Sequence, residues 1–229
     1  MTDRGTATSI ILAAGSGRRI GGDEPKAFLW IGGRPLVALS AAAAAASPAV
    51  GSVIVAVPAG MESKAEEVLA GIEVPVRVVT GGDTRQASVA LALEAVTGST
   101  VVVCHDAARP FAPPDLFSVV IEAIDEHVDG AIPVVPIADT VKRVRSGRVV
   151  GTESREGLAL AQTPQAFRLE ALLEAHTRAA DASVEFTDDA GVLEWAGYRV
   201  AAVQGDPRNF KVTTLLDLAR AQARVQDEG

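Results

Sequence analysis

The residues best suited to bind phosphate lie in Ile11–Lys26, ILAAGSGRRIGGDEPK, where an apolar run leads into glycines and cations. A glycine-rich turn at the carboxyl end of a parallel strand exposes backbone N–H groups that bind phosphate oxygens. Gly15 and Gly17 carry no side chain and therefore let a phosphate approach the main chain. Arg19 and Lys26 add a bidentate guanidinium and a mobile ammonium. The segment therefore predicts a phosphate-binding loop.

This loop matches neither of the two common phosphate-binding motifs. The dinucleotide fingerprint GxGxxG fails because Ile20 occupies the third glycine position, and the P-loop fails because Gly22 is followed by Asp23 rather than lysine. Taken alone, the GxG pattern favours a solvated loop with incidental cations. The motifs that follow reverse that interpretation.

A second cluster, Gly81–Val96, reads GGDTRQASVALALEAV and joins two glycines to a helical pattern. Its opening turn contains Asp83, Arg85 and Ser88, which would face a ligand at the sheet edge together with the backbone amides of the helix N-terminus. The alternative is structural, with Asp83 as a helix N-cap and Arg85 as a surface residue.

The third cluster, Val101–Phe111, reads VVVCHDAARPF and contains adjacent nucleophile, base and acid side chains. Neighbouring strand residues point to opposite faces, so that Cys104, His105 and Asp106 do not form a catalytic relay. We expect Cys104 to be buried and His105 to cap or pack locally. Asp106 lies where the strand should end, with Arg109 close behind, and its carboxylate could hold a metal-bound water or a substrate hydroxyl.

Further polar residues that could contact a substrate are Asp139-Thr140, Arg155 in SREGLALAQTPQAF with Thr163, FTDDAG at Phe186–Gly191, and NFKVT at Asn209–Thr213. Thr187 before two aspartates and Thr214 before Asp217 are equally consistent with helix N-termini. Lys211 differs, because a buried scaffold has little use for an ammonium in the loop before the last helix.

Length and composition bound the class of protein. With 229 residues, 48% of them hydrophobic, one α/β domain could cover residues 1–229. A net charge of −8 without a Lys/Arg-rich run argues against non-specific nucleic-acid binding. The apolar runs are too short for a signal peptide or a membrane span. Cys104 is the only cysteine, so that no intrachain disulfide forms and a reducing cytoplasm is expected.

Strand and helix patterns alternate along the chain, which predicts a mostly parallel sheet covered on both faces, a Rossmann-like three-layer α/β sandwich. The exception is residues 137–154, IADTVKRVRSGRVVGTES, where two charged runs flank Ser146-Gly147, a plausible two-residue hairpin turn. We expect this hairpin to project as an arm toward a partner subunit. Predicted strands are Ser9–Ala13, Ser52–Val57, Val76–Val79, Thr100–Cys104, Ala131–Val135 and Tyr198–Val203; predicted helices are Leu36–Ala46, Met61–Ala70, Arg85–Val96, Pro114–His127, Arg168–Ala180, Asp188–Trp195 and Thr214–Val225.

In this order the motifs resemble the bacterial methylerythritol phosphate cytidylyltransferases, which join CTP and methylerythritol phosphate into a CDP-alcohol and pyrophosphate. The resemblance spans nearly the whole chain and rests on LAAGSGRR with PK, GGDTRQAS, HDAARPF, the DT of the hairpin, R with TPQ, TDDAG and NFKVT. Each motif is weak alone, but seven in sequence are specific. Ile20 and Ala27 depart from the family, which often has methionine and glutamine there, without removing a charge.

The resemblance implies a role for each matching residue. Arg19 and Lys26 would stabilise charge during attack on the α-phosphorus, and Arg155 and Lys211 would assist catalysis. Asp106, Arg109, Thr163, Thr187 and Lys211 would hold the methylerythritol phosphate, with Thr140 and Arg155 reaching over from the second subunit of a homodimer. The nucleotide would contact Ala13, Ala14, Gly15, Gly17, Gly81, Gly82, Asp83, Arg85, Ser88 and Ala107.

The implied chemistry explains why no general base stands out in the sequence. The second pKa of a phosphate monoester is about 6, so that the attacking group is mostly dianionic at neutral pH. The reaction then needs positioning and charge neutralisation, which Mg²⁺ bridging the nucleotide phosphates would share with Arg19 and Lys26.

Three alternatives remain open on sequence grounds. The chain could be a ribitol phosphate or sugar phosphate nucleotidyltransferase, a non-catalytic nucleotide sensor, or a structural protein whose loops only look anion-binding. A sensor would be expected to lack Arg19, Lys26 or Lys211, and all three are present.

Overall fold

The computed structural model of the protein describes residues 7–15 and 24–227. The strands are, in chain order, β1 (Ala7–Leu12), β2 (Trp30–Ile31), β3 (Arg34–Pro35), β4 (Val50–Val57), β5 (Val76–Thr80), β6 (Val101–Asp106), β7 (Gly130–Pro136), β8 (Lys142–Arg145), β9 (Arg148–Thr152), β10 (Ala159–Ala161), β11 (Gln165–Arg168) and β12 (Val200–Gln204). The helices are α1 (Leu36–Ala46), α2 (Glu62–Leu69), α3 (Arg85–Leu93), α4 (Pro114–Glu122), α5 (Leu169–Asp181), α6 (Asp189–Ala196) and α7 (Leu215–Asp227), with a 3₁₀ turn at Lys26–Phe28.

An eight-stranded sheet in the order β10-β7-β11-β6-β1-β4-β5 forms the centre, with β12 paired to β7. Strands β6, β1, β4 and β5 are parallel to one another, so that their carboxyl ends reach the same edge. Strands β10 and β11 run antiparallel to β7, whereas β12 runs parallel to it. The central β1 is buried from Ala7 to Ile11, as expected for a strand covered on both faces.

Two apolar clusters, one on each face of the sheet, make the fold a three-layer sandwich. The first joins the sheet to α1, α2 and α4, and the second joins it to α3, α5 and α6. The predicted α/β three-layer architecture is therefore confirmed. Among the helices formed by the described residues, none combines the length and apolar character needed to cross a bilayer.

The predicted hairpin is present as β8 and β9, which pair antiparallel. Its turn consists of Ser146 and Gly147 with φ angles of 48° and 75°, the two positive values that a two-residue type I′ turn requires. Nearly every residue of both strands is exposed. The charged pattern predicted that this hairpin lies outside the core, and its exposed strands agree with that prediction.

Three sequence predictions need correction. Strand β6 continues beyond Cys104 to Asp106, so that the Asp106 carboxylate lies at the last position of the strand. Helices α3 and α4 end earlier than predicted, because the chain after each tightens into i→i−3 hydrogen bonds, such as that from the amide of Val96 to the carbonyl of Leu93. Four short strands were missed, since each has only two to four residues and is formed by pairing with another segment: β2 with β3, β10 with β7, and β11 with β6.

Candidate active site

A cleft of about 680 Å³ opens at the carboxyl ends of β1, β5 and β6. Loops that are far apart in sequence meet there, because parallel strands direct their carboxyl ends to one edge of the sheet. The structure therefore brings the three sequence clusters together. The predicted site residues that line the cleft are Ala13, Ala14, Gly15, Lys26, Gly81, Gly82, Asp83, Arg85, Ser88, Asp106, Ala107 and Lys211.

The glycine pair after β5 lies where two loops touch. A Cβ atom at Gly81 would overlap the Cβ atom of Ala14, and one at Gly82 would overlap that of Ala87. The hydroxyl of Ser88 accepts the N–H of Gly82 at 3.1 Å and so fixes the loop against α3. Only glycine lets the main chain approach this closely at these two positions of the cleft lining.

Helix α3 begins at the cleft with Thr84 as its N-cap, whose Oγ1 accepts the N–H of Ala87 at 3.0 Å. The structural alternative in which Asp83 is the N-cap is therefore wrong. Asp83 is exposed and lines the cleft instead. The amides and the dipole at this helix end favour an anion.

Four charged side chains of alternating sign extend from the cleft into the core. Lys211 Nζ lies 2.7 Å from Asp106 Oδ2, Arg85 Nε lies 3.6 Å from Asp106 Oδ1, and Arg85 Nη2 lies 2.7 Å from Asp189 Oδ2. The exposed fraction of the side chain falls from 40% at Lys211 to 1% at Asp189. The prediction that Lys211 serves a specific purpose in its loop is consistent with this arrangement.

The row of charges fixes the ionisation of its members. Burial by itself would raise the pKa of Asp106, but the cations of Lys211 and Arg85 outweigh it and hold that pKa well below its usual range. Burial would likewise raise the pKa of Asp189, but Arg85 and His176 lower it to about 2. Asp106 is therefore a carboxylate at neutral pH and accepts hydrogen bonds without donating a proton.

The suitability of Asp106 for a metal site follows from the same contacts. Both of its oxygens face cations, so that a metal ion bound directly would compete with Lys211 and Arg85. Within residues 7–15 and 24–227, no three His, Cys, Asp or Glu side chains are grouped as metal ligands. The described side chains do not fit a directly bound metal ion.

The segment around Lys211 is anchored on both sides of that residue. Before it, the fully buried Asn209 donates from Nδ2 to the carbonyl of Thr163 at 2.8 Å. After it, the carbonyl of Val212 accepts a hydrogen bond of 3.0 Å from Lys26 Nζ. The two lysines that line the cleft are thus tied to the same segment of chain.

His105 and Thr163 form a buried hydrogen-bonded chain behind Asp106. His105 Nε2 lies 3.1 Å from the carbonyl of Arg109, which only accepts, so that Nε2 carries the proton. Burial lowers the pKa of His105 to about 4, which leaves Nδ1 as an acceptor for the Thr163 hydroxyl at 3.0 Å. Thr163 Oγ1 also accepts the N–H of Asp106 at 3.0 Å. The hydroxyl therefore fixes the end of β6.

The rejection of a cysteine relay is consistent with these contacts. Cys104 is fully buried, as predicted, and burial raises the pKa of its thiol. The ring of His105 bonds to Thr163 and to the main chain of Arg109 instead.

The remaining predicted site residues lie outside the lining of the cleft. Arg109 donates to the carbonyls of Asn209 at 2.8 Å and Ala161 at 3.4 Å, and burial lowers its pKa. The side chains of Thr140, Arg155 and Thr187 are exposed. Within one chain, the structure does not bring these four to the cleft.

The last predicted residues belong to the first glycine-rich loop and to the start of α7. Gly17 and Arg19 lie outside the described residues. Thr214 and Asp217 form the predicted helix N-terminus, since Asp217 Oδ2 accepts the N–H of Thr214 at 2.8 Å and Thr214 Oγ1 accepts the N–H of Asp217 at 3.2 Å. Their role as a cap is confirmed.

Two residues behind the site, Asp189 and His176, were not predicted from the sequence. Asp188 caps α6 by accepting the N–H of Gly191 at 3.1 Å, so that only the first aspartate of FTDDAG is needed as a cap. The second, Asp189, points at Arg85 and lies 3.4 Å from His176 Nε2. The doubled aspartate was the available signal, whereas nothing in the sequence marks His176.

Comparisons with known proteins agree on one family. The family model described as 2-C-methyl-D-erythritol 4-phosphate cytidylyltransferase matches residues 7–227. The chain is 47% identical over 215 residues to the protein of that name from Deinococcus radiodurans, covering 94% of this chain and 88% of the relative. It is 43% identical over 231 residues to a bifunctional enzyme IspD/IspF from Bradyrhizobium sp., covering 98% of this chain but only 58% of that longer relative.

A comparison with solved structures points to the same family. The crystal structure of 2-C-methyl-D-erythritol 4-phosphate cytidylyltransferase from Thermus thermophilus matches with a TM-score of 0.80 at 36% identity, covering 95% of this chain and 98% of that one. The match extends over nearly all of both chains. The chain therefore belongs to the 2-C-methyl-D-erythritol 4-phosphate cytidylyltransferase family.

Proposed function

We propose that the chain transfers CMP from CTP to 2-C-methyl-D-erythritol 4-phosphate and releases pyrophosphate, a step in non-mevalonate isoprenoid precursor synthesis. The observation that carries this proposal is the cleft in which backbone amides after β1 and β5 lie beside Lys26 and the Asp106–Lys211 pair. Amides and a helix N-terminus suit a nucleotide triphosphate, whereas a carboxylate beside an ammonium suits a molecule with both hydroxyl and phosphate groups.

The nucleotide occupies the side of the cleft formed by the loops after β1 and β5. The close packing at Gly81 and Gly82 supports this assignment, because it presents main-chain groups rather than side chains to the base. The residues assigned to the phosphates are Ala13, Ala14, Gly15 and Gly17, and those assigned to the cytidine are Gly81, Gly82, Asp83, Arg85, Ser88 and Ala107.

The polyol phosphate occupies the side formed by the end of β6 and the segment before α7. Asp106 accepts from a substrate hydroxyl, and Lys211 pairs with the phosphate. Thr163 acts from behind, since its hydroxyl is already shared between the amide of Asp106 and His105. We also assign Arg109 and Thr187 to the polyol phosphate, although neither lines the cleft within one chain.

The reaction needs no general base. An oxygen of the substrate phosphate attacks the α-phosphorus of CTP, the bond from that phosphorus to the bridging oxygen breaks, and pyrophosphate leaves with the electron pair. Lys26 and Arg19 neutralise the charge that builds on the α-phosphoryl group and the leaving pyrophosphate. The lowered pKa of Asp106 supports this assignment, because a group that stays ionised does not shuttle protons.

A second copy of the chain supplies the residues that lie far from the cleft. The projecting arm, residues 137–154, carries the exposed apolar side chains of Val144, Val149 and Val150, which a partner subunit would cover. Arg155 follows the arm directly, and Thr140 precedes β8. We assign both residues to the active site of the partner subunit in a homodimer.

A divalent cation, Mg²⁺, is assigned to the nucleotide rather than to the protein, because Asp106 already faces two cations. When bound, it would neutralise phosphate charge.

The chain functions as one nucleotidyltransferase domain spanning 1–229. Its lone cysteine is compatible with the reducing cytoplasm to which we assign it.

A pyrophosphate-release assay tests this function. CTP, UTP, ATP and GTP are each combined with Mg²⁺ and with methylerythritol phosphate, ribitol phosphate or a sugar phosphate. We expect turnover with CTP and methylerythritol phosphate to exceed that of every other pair. Preference for ribitol phosphate would identify a different cytidylyltransferase, and CTP binding by calorimetry without turnover would indicate a sensor. Either result would overturn the proposal.

A further inference from the structure

A buried cluster behind the cleft contains two residues, His176 and Asp189, that the reaction described above does not use, and it shares Arg85 with the nucleotide side of the cleft. It consists of His176 on α5, Asp189 at the start of α6, and Arg85 at the start of α3. The side chains of His176 and Asp189 are 5% and 1% exposed, and neither lines the cleft. Arg85 connects the cluster to Asp106.

Such a cluster is costly for a structural purpose alone. An ionised carboxylate in an apolar interior loses several kcal/mol of hydration, which is recovered only by close partners. The neighbours of Asp189 along α6 include Ala190, Val192 and Leu193, all buried. Its close partners are the guanidinium of Arg85, with Nη2 at 2.7 Å, and the ring of His176, with Nε2 at 3.4 Å.

Arg85 is held between two carboxylates at unequal distances. Its Nη2 lies 2.7 Å from Asp189 Oδ2, whereas its Nε lies 3.6 Å from Asp106 Oδ1. The shorter contact anchors the guanidinium on the core side. If the side chain of Asp189 were neutral, Asp106 would be the only charged carboxylate in contact with Arg85, and it would attract the guanidinium.

Asp106 would then be shared differently between its two cations. Lys211 Nζ now holds Asp106 Oδ2 at 2.7 Å. A guanidinium forms a bidentate pair with a carboxylate, occupying both of its oxygens, and would displace the single ammonium. Lys211 would lose its anchor, and Asp106 would lose the acceptor position that faces the cleft.

We propose that Asp189, held from behind by His176, is a positioning residue that anchors Arg85 away from Asp106 and thereby reserves Asp106 for Lys211 and the polyol phosphate. This inference rests on the proposed function for its catalytic consequence, but its structural consequence exists without any substrate. His176 contributes by its contact of 3.4 Å with the second oxygen of Asp189, which restrains the carboxylate. The ordinary alternative is an ion pair that only joins α3 to α6.

The first test compares crystal structures of the ligand-free wild-type protein and Asp189→Asn. We expect Arg85 to move to within about 3 Å of an oxygen of Asp106, and Lys211 Nζ to lie more than about 4 Å from that carboxylate. An unchanged Lys211 to Asp106 distance would overturn the inference. Because no substrate is present, this result is independent of whether the proposed reaction is correct.

The second test is a double-mutant cycle on kcat/KM for the polyol phosphate. Asp189→Asn should lower kcat/KM by roughly 10- to 100-fold, since a misplacement of about 1 Å can cost about 100-fold. An Asp106→Asn background lacks the carboxylate for which Arg85 and Lys211 would compete. In that background, adding Asp189→Asn should therefore lower kcat/KM by less than about 3-fold. Equal losses in both backgrounds would show a merely structural role and overturn the inference.

Two further variants guard against simple unfolding. Asp188→Ala removes the N-cap of the same helix without touching Arg85, and we expect a lower thermal midpoint with kcat/KM within about 3-fold of wild type. If Asp189→Asn does not fold, His176→Phe keeps a ring at that site and removes the contact with Asp189. It should lengthen the Lys211 to Asp106 distance in the same direction, and failure to do so would equally refute the positioning role.

Discussion

Lys211 and Asp106 lie half a chain apart in sequence, yet their side chains meet at 2.7 Å between Nζ and Oδ2 on one side of the cleft. The local secondary structure alone does not place either side chain at this position. Asp106 is the last residue of β6, and Lys211 is placed by the buried Asn209 before it and the bonded main chain of Val212 after it. The pair presents an acceptor and a cation side by side, on the side of the cleft that we assign to the polyol phosphate.

The first prediction concerns the two cations assigned to the α-phosphoryl group. Arg19→Ala and Lys26→Ala should each lower kcat by at least ~100-fold, the scale for removing one preorganised charge stabiliser. The measurement is steady-state pyrophosphate release with saturating CTP and Mg²⁺. Arg178→Ala, a charge removed from an exposed position on α5, is the matched control and should keep near-normal turnover. Near-normal turnover in both test variants would refute the role.

The second prediction concerns the arm and the partner subunit. Arg155 is exposed, donates to the carbonyls of Ile137 and Ala138, and does not line the cleft of its own chain. Mixing Arg155→Ala chains with Arg19→Ala chains should therefore restore activity, because half of the sites in a hybrid dimer would have both residues intact. Verified hybrids without any recovered activity would place Arg155 and Arg19 in the same subunit.

The third prediction distinguishes the effect of the Thr163 hydroxyl from the effect of the volume of its side chain. Thr163→Val removes the group that bonds both the amide of Asp106 and the ring of His105, and should lower the free energy of unfolding by about 1–3 kcal/mol. It should also raise KM for the polyol phosphate, because the end of β6 loses its restraint. Thr163→Ser keeps the hydroxyl and should retain most of both quantities. Chemical denaturation and kinetics provide the measurements, and equal losses in the two variants would contradict the proposed chain.

The fourth prediction concerns pH. Burial lowers the pKa of His105 from 6.5 to about 4 in the folded protein, so that between these values the unfolded chain binds a proton that the folded chain does not. The contribution of His105 to the free energy of unfolding is therefore present above pH 6.5 and falls as the pH drops toward 4, by about 3 kcal/mol in total.

The corresponding measurement is the free energy of unfolding of wild type and His105→Gln at several pH values in this window. The difference between the two proteins should shrink as the pH falls. His127→Gln, which changes a side chain that is 73% exposed, is the surface control for replacing a histidine. A difference between wild type and His105→Gln that is constant with pH would be inconsistent with a buried neutral imidazole.

The sequence by itself determined the layer architecture and the positions of the glycine-rich loops. Alternating apolar runs predicted the strands and helices, since each element must bury an apolar face, and the pair Ser146-Gly147 predicted the hairpin turn through the positive φ angles it adopts. The glycines after β1 and β5 were identified because main-chain access to phosphate needs residues without side chains. These are local requirements, so that a local pattern reveals them.

Only the tertiary structure decided which charges meet and which hydroxyls are already committed. Short β10 and β11 exist through pairing with β7 and β6, and Asp189 can reach Arg85 because α6 and α3 lie on the same face of the sheet. Thr163 looks like a free hydroxyl in sequence, but the fold places it between His105 and the amide of Asp106. Electrostatic and hydrogen-bonding partners are set by distances across the fold, and residue order along the chain does not specify those distances.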